Sequence, residues 1–254
     1  MTDSRQPTVW ITGGSRGIGA CIAEQFSTAG YQVVLMARDS DVLRATSTRL
    51  GAICEPLDLA QHDSLSTQIE EILIRHGCPD VLINNAGIAH SASLIETTDE
   101  QWQRTMDVNL SANFVLCRAI LPQMRKRGRG RVIFVASNAG LAGYPYTSAY
   151  CASKHGVIGL MRGLAREYTD ADLTVNAICP GFVETEMAIA SIQRIADKTG
   201  RSLDEARRSL EKMNPQKRLI QPEEVAALAL FLCAEHARGI HGQAIAVDGG
   251  QVQH

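Results

Sequence analysis

A glycine turn set between a strand and a helix constrains this chain most. An apolar run over residues 8–11 is followed at once by Thr12-Gly13-Gly14-Ser15-Arg16-Gly17-Ile18-Gly19. Ile18, Ile22, Ala23 and Phe26 then recur at helical spacing, and Gly30 stands where a helix would stop. Strand, glycine turn and helix in that order build a phosphate cradle. Glycine lets the backbone turn tightly and approach a pyrophosphate, whose charge is met by free N–H groups at the helix N-terminus. The spacing Gly-x-x-x-Gly-x-Gly differs from the Gly-x-Gly-x-x-Gly of longer-chain dehydrogenases.

The same βα unit recurs along the chain. Strand-length apolar runs lie at residues 8–11, 32–37, 52–57, 81–84, 131–136, 173–178 and 243–247, with amphipathic helical stretches between them. They predict a single-domain α/β fold over residues 1–254: a Rossmann-like, doubly wound, seven-stranded parallel sheet with helices on both faces. A polar, helix-rich stretch at 184–218 reads as a small helical lid over the carboxyl ends of the strands, where open α/β sheets bind ligands. Hydrophobic residues are 45% of the 254, enough for one full core. No linker, repeat or low-complexity tract divides the chain.

Composition narrows the partners. The formal net charge of −2 lacks the basic footprint of a nucleic-acid binder, and the longest apolar stretch, 226–234, is far too short to span a bilayer. The polar start, residues 1–7, has neither a secretory apolar core nor transit-peptide bias. Seven scattered cysteines, with no Cys-x-x-Cys pair and no clustered histidines, suit a reducing compartment and exclude a metal centre. The expectation is a cytoplasmic protein that binds small molecules and neither nucleic acid nor membrane.

The second strand ends Met36-Ala37-Arg38. An acid there would bind a ribose 2′-hydroxyl, whereas Arg38 together with Arg16 favours the 2′-phosphate of NADP(H). Asp39 is the counterweight: if it faces the ribose, NAD(H) is accepted. Further on, Tyr150 and Lys154 sit four residues apart on a helix predicted over 149–168, so that a cation would lower the phenol pKa toward the range of acid–base catalysis.

Taken in order, Thr12 to Gly19, Asn84-Asn85-Ala86-Gly87, Ser137, Tyr150, Lys154 and Pro180-Gly181 resemble the short-chain dehydrogenase/reductase family, and the resemblance covers essentially the whole chain. Within it the chain looks most like NADP-preferring reductases of 3-oxoacyl thioesters and polyketides. The resemblance implies that Tyr150 is the acid, or in reverse the base, and that Ser137, rather than Asn138, hydrogen-bonds the reacting oxygen. Lys154 would bind the nicotinamide ribose and tune Tyr150, and Asn109 would hold a water linking Lys154 to solvent. Cofactor contacts would come from Gly13, Ser15, Arg16, Gly17, Ile18, Gly19, Arg38, Asp58, Leu59, Asn85, Ala86, Gly87, Tyr150, Lys154, Pro180, Gly181, Val183 and Thr185.

Substrate choice rests on weaker signals. Ala139, Leu141, Tyr144, Met187 and Ile189 suggest an apolar slot. Residues 194–218 carry eight Lys/Arg against four acids, either a grip for the phosphates of an acyl-CoA or a solvated face. A second basic cluster, Arg125 to Arg131, has the same two readings. Asp170 and Asp172, just before the sixth strand, would repel an acidic carrier protein. The family resemblance also implies a homotetramer, with Gly156, Gly159 and Gly163 allowing the Tyr150 helix to pack against its equivalent. The expected activity is hydride transfer between NADP(H) and a 3-oxoacyl/3-hydroxyacyl thioester. An alcohol, sugar or steroid dehydrogenase is the alternative within the family, and a non-catalytic NADPH sensor the alternative outside it.

Overall fold

The computed structural model describes residues 5–253; residues 1–4, part of the stretch read above as lacking a leader, and His254 lie outside them. Seven strands, β1 (Thr8–Thr12), β2 (Gln32–Ala37), β3 (Ile53–Pro56), β4 (Val81–Asn84), β5 (Arg129–Val135), β6 (Asp172–Pro180) and β7 (Ala244–Val247), form one sheet in the order β3-β2-β1-β4-β5-β6-β7. Every pairing is parallel. Strand order reverses between β1 and β4, so a crevice opens there at the carboxyl ends of the strands.

Alternation along the strands explains why both faces are covered. Val9 and Ile11 of β1 point into one apolar layer with Val33 and Leu35 of β2, while Trp10, Val34 and Met36 point into the other. Helices α1 (Gly17–Thr28), α2 (Asp41–Leu50) and α9 (Pro222–Cys233) close the first layer through Ile22, Phe26, Leu43 and Val225. Helices α3 (His62–His76), α5 (Ala112–Arg127) and α6 (Ser148–Glu167) close the second through Ile69, Leu116, Ile120, Val157 and Met161. The predicted doubly wound sheet is therefore the observed one, with β5 and β6 longer and β3 shorter than the apolar runs.

The stretch read above as a lid, hereafter the lid, has its own small core. Helices α7 (Glu186–Thr199) and α8 (Leu203–Glu211) pack Ile192 and Ala196 against Ala206, Leu210 and Leu219. Ser202 and Glu205 form a capping box that starts α8. A short helix α4 (Asp99–Met106) runs through a π-helical turn, Asp107–Ser111, into α5. No helix among the described residues is long and apolar enough to cross a membrane, and no group of His, Cys, Asp and Glu among them is placed to hold a metal ion.

Candidate active site

The glycine turn closes on the neighbouring strands before any ligand is considered. Gly13 N–H donates to the Met36 carbonyl at 2.7 Å, and Asn85 Nδ2 donates to the carbonyls of Thr12 and Gly13 at 2.9 and 3.1 Å. The Thr12 hydroxyl accepts the backbone N–H groups of Asn85 and Ala86, both at 3.0 Å. Thr46, on α2, donates to the Ser15 carbonyl at 2.9 Å. Gly13 and Gly17 have positive φ, 64° and 53°. A Cβ on Gly19 would stand 2.3 Å from the Gly13 carbonyl oxygen, so the turn tolerates no side chain there.

This cradle suits a pyrophosphate. Helix α1 has no side-chain cap and no acidic residue in its first turn, which leaves its first N–H groups for an anion. Gly17 and Ile18 lie in that turn, and the Thr185 methyl lies 3.3 Å from where a Cβ of Gly17 would be. Arg38 is exposed just beyond β2 and makes no ion pair among the described residues. Asp39 is held by Arg44, which also pairs with Asp41 at 3.0 Å. The Arg16 guanidinium is 2.6 Å from the Glu186 carboxylate on the lid. Of the two arginines read from sequence as gripping a 2′-phosphate, Arg16 is thus engaged by an acid in this structure and Arg38 is not, among the described residues.

Of the adenine-side candidates, Asp58 accepts the Ala60 N–H at 3.1 Å, and the Leu59 side chain is buried in the core, so only its backbone is left to face a ligand. At the opposite end, Gly181 N–H is tied to the Val247 carbonyl at 3.0 Å, Val183 bridges to Ile220, and Thr185 donates to the Val183 carbonyl at 3.2 Å. Pro180 ends β6 beside them.

The reactive side chains meet at the ends of β5 and α6. Ser137 follows β5, its hydroxyl accepting the Ala139 N–H at 3.1 Å and lying near enough to the Tyr150 phenol to act on its pKa. Lys154, one turn after Tyr150, is buried and donates to the Val135 carbonyl at 2.9 Å. Its ammonium lies 3.4 Å from the place a Cβ on Gly87 would take, and 5.7 Å from the centre of the Tyr150 ring. Burial pulls Lys154 down to about 8. It also pushes the Tyr150 phenol above its usual value, with only the nearby Ser137 hydroxyl opposing it. The Tyr-x-x-x-Lys spacing predicts a lowered phenol; here burial outweighs the ammonium, which is spent on the Val135 carbonyl.

Asn109 sits in the π-helical turn, a feature often found at functional sites. Its side chain accepts the Ile88 N–H at 2.8 Å and donates to the Ile88 carbonyl at 2.9 Å and to the Ser153 hydroxyl at 3.0 Å. Its own carbonyl takes Asn113 Nδ2 at 2.7 Å. Asn109 thereby ties the Asn85-Ala86-Gly87 segment to the helix carrying Tyr150 and Lys154. Asn138 turns away from the pair, toward Asp248 and Gln251.

Several residues escaped the sequence reading. Thr12 and Thr46 shape the turn, Glu186 occupies Arg16, and Asp248 and Gln251 back the Ser137 loop. Asp248-Gly249 was the one signal, as a turn dipeptide.

Comparison with known proteins agrees with this geometry. Residues 13–251 match the family model described as enoyl-(acyl carrier protein) reductase. D-beta-hydroxybutyrate dehydrogenase of Rhizobium meliloti is 35% identical, covering 96% of this chain and 97% of that protein. The 3-oxoacyl-[acyl-carrier-protein] reductase of Chlamydia trachomatis is 33% identical, covering 96% of each. Among solved structures, an actinorhodin polyketide ketoreductase with NADPH superposes with a TM-score of 0.92 at 32% identity over 99% of each chain. The chain belongs to the short-chain dehydrogenase/reductase family, the nicotinamide-nucleotide-dependent oxidoreductases that act on CH–OH groups.

Proposed function

We propose that the protein transfers hydride between NADP(H) and the 3-carbonyl of a 3-oxoacyl thioester. The observation that carries this reading is the Ser137 hydroxyl beside the Tyr150 phenol, one helical turn from the buried Lys154 ammonium. A bound reduced nicotinamide supplies the hydride. Tyr150 gives its proton to the carbonyl oxygen and takes it back in oxidation, and its raised pKa keeps it protonated until substrate arrives. Ser137 donates to the same oxygen as charge develops there. Lys154, beside Gly87, meets the nicotinamide ribose, and Asn109 holds the Gly87 segment against α6. The glycine turn with Gly13, Ser15, Gly17, Ile18 and Gly19 holds the pyrophosphate, and Asp58, Leu59, Asn85 and Ala86 hold the adenosine. Pro180, Gly181, Val183 and Thr185 hold the nicotinamide end.

Arg38, without an ion pair among the described residues, favours the 2′-phosphate, while Asp39 is neutralised by Arg44. Coenzyme A rather than a carrier protein remains the choice, on altered grounds. Asp170 and Asp172, read from sequence as repelling a carrier, are paired with Arg125 at 2.5 Å and Arg131 at 3.0 Å, so that acid loop and those two arginines largely neutralise each other. In the lid, Arg207 and Arg218 are bound to Glu184 and Glu224, both at 2.5 Å, but Arg194, Lys212 and Lys217 make no ion pair among the described residues and can meet coenzyme phosphates. The assembly is a homotetramer in a reducing cytoplasm. Gly159 and Gly163 leave α6 bare on its outer face and Phe114 is exposed on α5, whereas Gly156 packs within the chain against Leu110.

An absorbance assay at the reduced-nicotinamide band tests the reading. NADPH and NADH are offered in parallel with acetoacetyl-CoA, ethyl acetoacetate and acetoacetate. Fast NADPH oxidation with acetoacetyl-CoA, weakened by salt while ethyl acetoacetate is unaffected, is expected. Turnover of acetoacetate alone would replace the thioester by the free acid. Nucleotide binding with no turnover would overturn the substrate class.

A further inference from the structure

The C-terminal turn reaches the reactive serine from behind. Asp248 is buried, and its carboxylate accepts the backbone N–H groups of Gly250, Gln251 and Val252 at 3.0, 3.2 and 2.9 Å. Those bonds alone would make it a turn former. Asn138, adjacent to Ser137 and also buried, donates through Nδ2 to Asp248 at 3.4 Å and to Gln251 Oε1 at 3.2 Å. One side chain near the end of the chain thus braces the segment that follows the reactive serine and flanks the predicted acyl slot.

The same turn touches the rest of the site. A Cβ on Gly181 would lie 2.9 Å from Asp248 Cβ, and one on Gly249 would overlap the Asn214 amide at the end of the lid, 2.0 Å away. Asn214 is itself buried, bonded to the Arg218 carbonyl at 2.9 Å and the Gln216 N–H at 2.8 Å. A displacement of this turn would therefore be felt at the serine loop, the nicotinamide-side loop and the lid together. The Asn138 carbonyl adds rigidity, accepting the N–H groups of Leu141 and Ala142, each at 2.9 Å.

We propose that Gln251 is a positioning residue for the Ser137 loop. This rests on the function proposed above. Gln251 acts through Asn138 and touches none of the reacting atoms. Because its Oε1 accepts the Asn138 amide, replacing it by an apolar side chain of similar length breaks that link and leaves the volume filled.

The test compares full-length Gln251→Met, Asn138→Leu and the double variant, with acetoacetyl-CoA and ethyl acetoacetate as substrates and NADPH binding measured separately. Gln251→Met should raise KM and lower kcat/KM about tenfold with NADPH affinity within twofold. The double variant should lose no more than the worse single one, as expected for residues acting as a unit. Hydrogen exchange of the 137–141 amides should quicken at least threefold in Gln251→Met. Gln251→Asn, which keeps the amide but shortens its reach, serves if the Met variant does not fold. Additive losses, unchanged exchange, or NADPH affinity lost in proportion to activity would each overturn the inference. If the wild-type protein reduces neither substrate, the proposed function falls and the exchange measurement alone decides the role of Gln251.

Discussion

Arg16 lies 2.6 Å from Glu186, so the cap of α1 and the first turn of the lid are joined by an ion pair spanning 170 positions of sequence. Both side chains are largely exposed, and such a pair is a weak one that salt screens. It nevertheless occupies the guanidinium that a 2′-phosphate would otherwise recruit. Glu186→Gln should tighten NADPH binding about two- to threefold at low ionic strength and leave NADH unchanged, the gain disappearing in high salt. Titration calorimetry with both nucleotides reads this directly; equal gains for the two would mean that Arg16 is not recruited by the phosphate.

On the proposed reading, Arg38 carries the nucleotide choice once Arg16 is engaged. Arg38→Ala should raise KM for NADPH by about tenfold or more and leave KM for NADH within twofold, since a phosphate contact to arginine is strong and directional. Initial rates with each nucleotide check it. A preference for NADH already in the wild-type protein would assign the ribose to Asp39, despite its pairing with Arg44.

Tyr150→Phe should abolish turnover and leave NADPH binding nearly intact, because the ring stays while the proton is lost. Residual turnover above about one part in a hundred would remove Tyr150 from that role.

Lys154 carries a stability cost with a definite pH dependence. Burial lowers its pKa from 10.5 to about 8, so below pH 8 both folded and unfolded chains hold the proton and the folded one bears the desolvation. Between pH 8 and 10.5 the unfolded chain binds more protons than the folded one, and the cost is relieved as pH rises. At one pKa unit per ~1.4 kcal/mol the full cost is about 3 kcal/mol. Lys154→Met, though inactive, should therefore be more stable than wild type by about 1–3 kcal/mol at pH 7, after loss of the Val135 hydrogen bond. Urea unfolding of the two proteins should show the gap narrowing from pH 8 upward. The difference is needed because the buried thiols Cys117 and Cys233, pushed up to about 12 from 9, destabilise the folded state of both proteins above pH 9. A gap independent of pH would place the folded Lys154 pKa at its ordinary value.

Gly19→Ala and Gly30→Ala separate the turn from its surroundings. Gly19 has the Gly13 carbonyl oxygen 2.3 Å and Asn85 Nδ2 2.5 Å from its missing Cβ, whereas Gly30 has nothing within 4 Å and only a positive φ of 85°. Gly19→Ala should weaken nucleotide binding at least tenfold by pushing the turn off Asn85. Gly30→Ala should cost about 1 kcal/mol of stability and nothing in binding. Thermal melts and nucleotide titrations on both variants distinguish the two effects.

Local features of the chain were enough to place the parts. Apolar runs marked all seven strands to within a few residues, because a parallel sheet covered on both faces must be built from nearly continuous apolar strands. The glycines of the turn were legible because backbone conformation and close approach are properties of single positions, as Gly13, Gly17 and Gly19 show. Ser137, Tyr150 and Lys154 were legible as residue types in a set order at strand ends, and the fold brings them together.

What tertiary structure alone decided was which charge meets which. Arg16 was assigned to a phosphate and Asp170 to repelling a carrier, yet Glu186 and Arg125 claim them. Tyr150 was expected to feel Lys154, yet burial and the Val135 carbonyl govern that pair. Gly156 was placed with Gly159 and Gly163 at an interface, yet it fits Leu110. Gln251 carried no signal at all, since its meaning depends on Asn138, 113 positions away. Strand periodicity and glycine geometry are set by each residue and its near neighbours. Electrostatic pairing, desolvation and packing depend on distances through space, and these exist only once β6 and β7 have been laid beside β5.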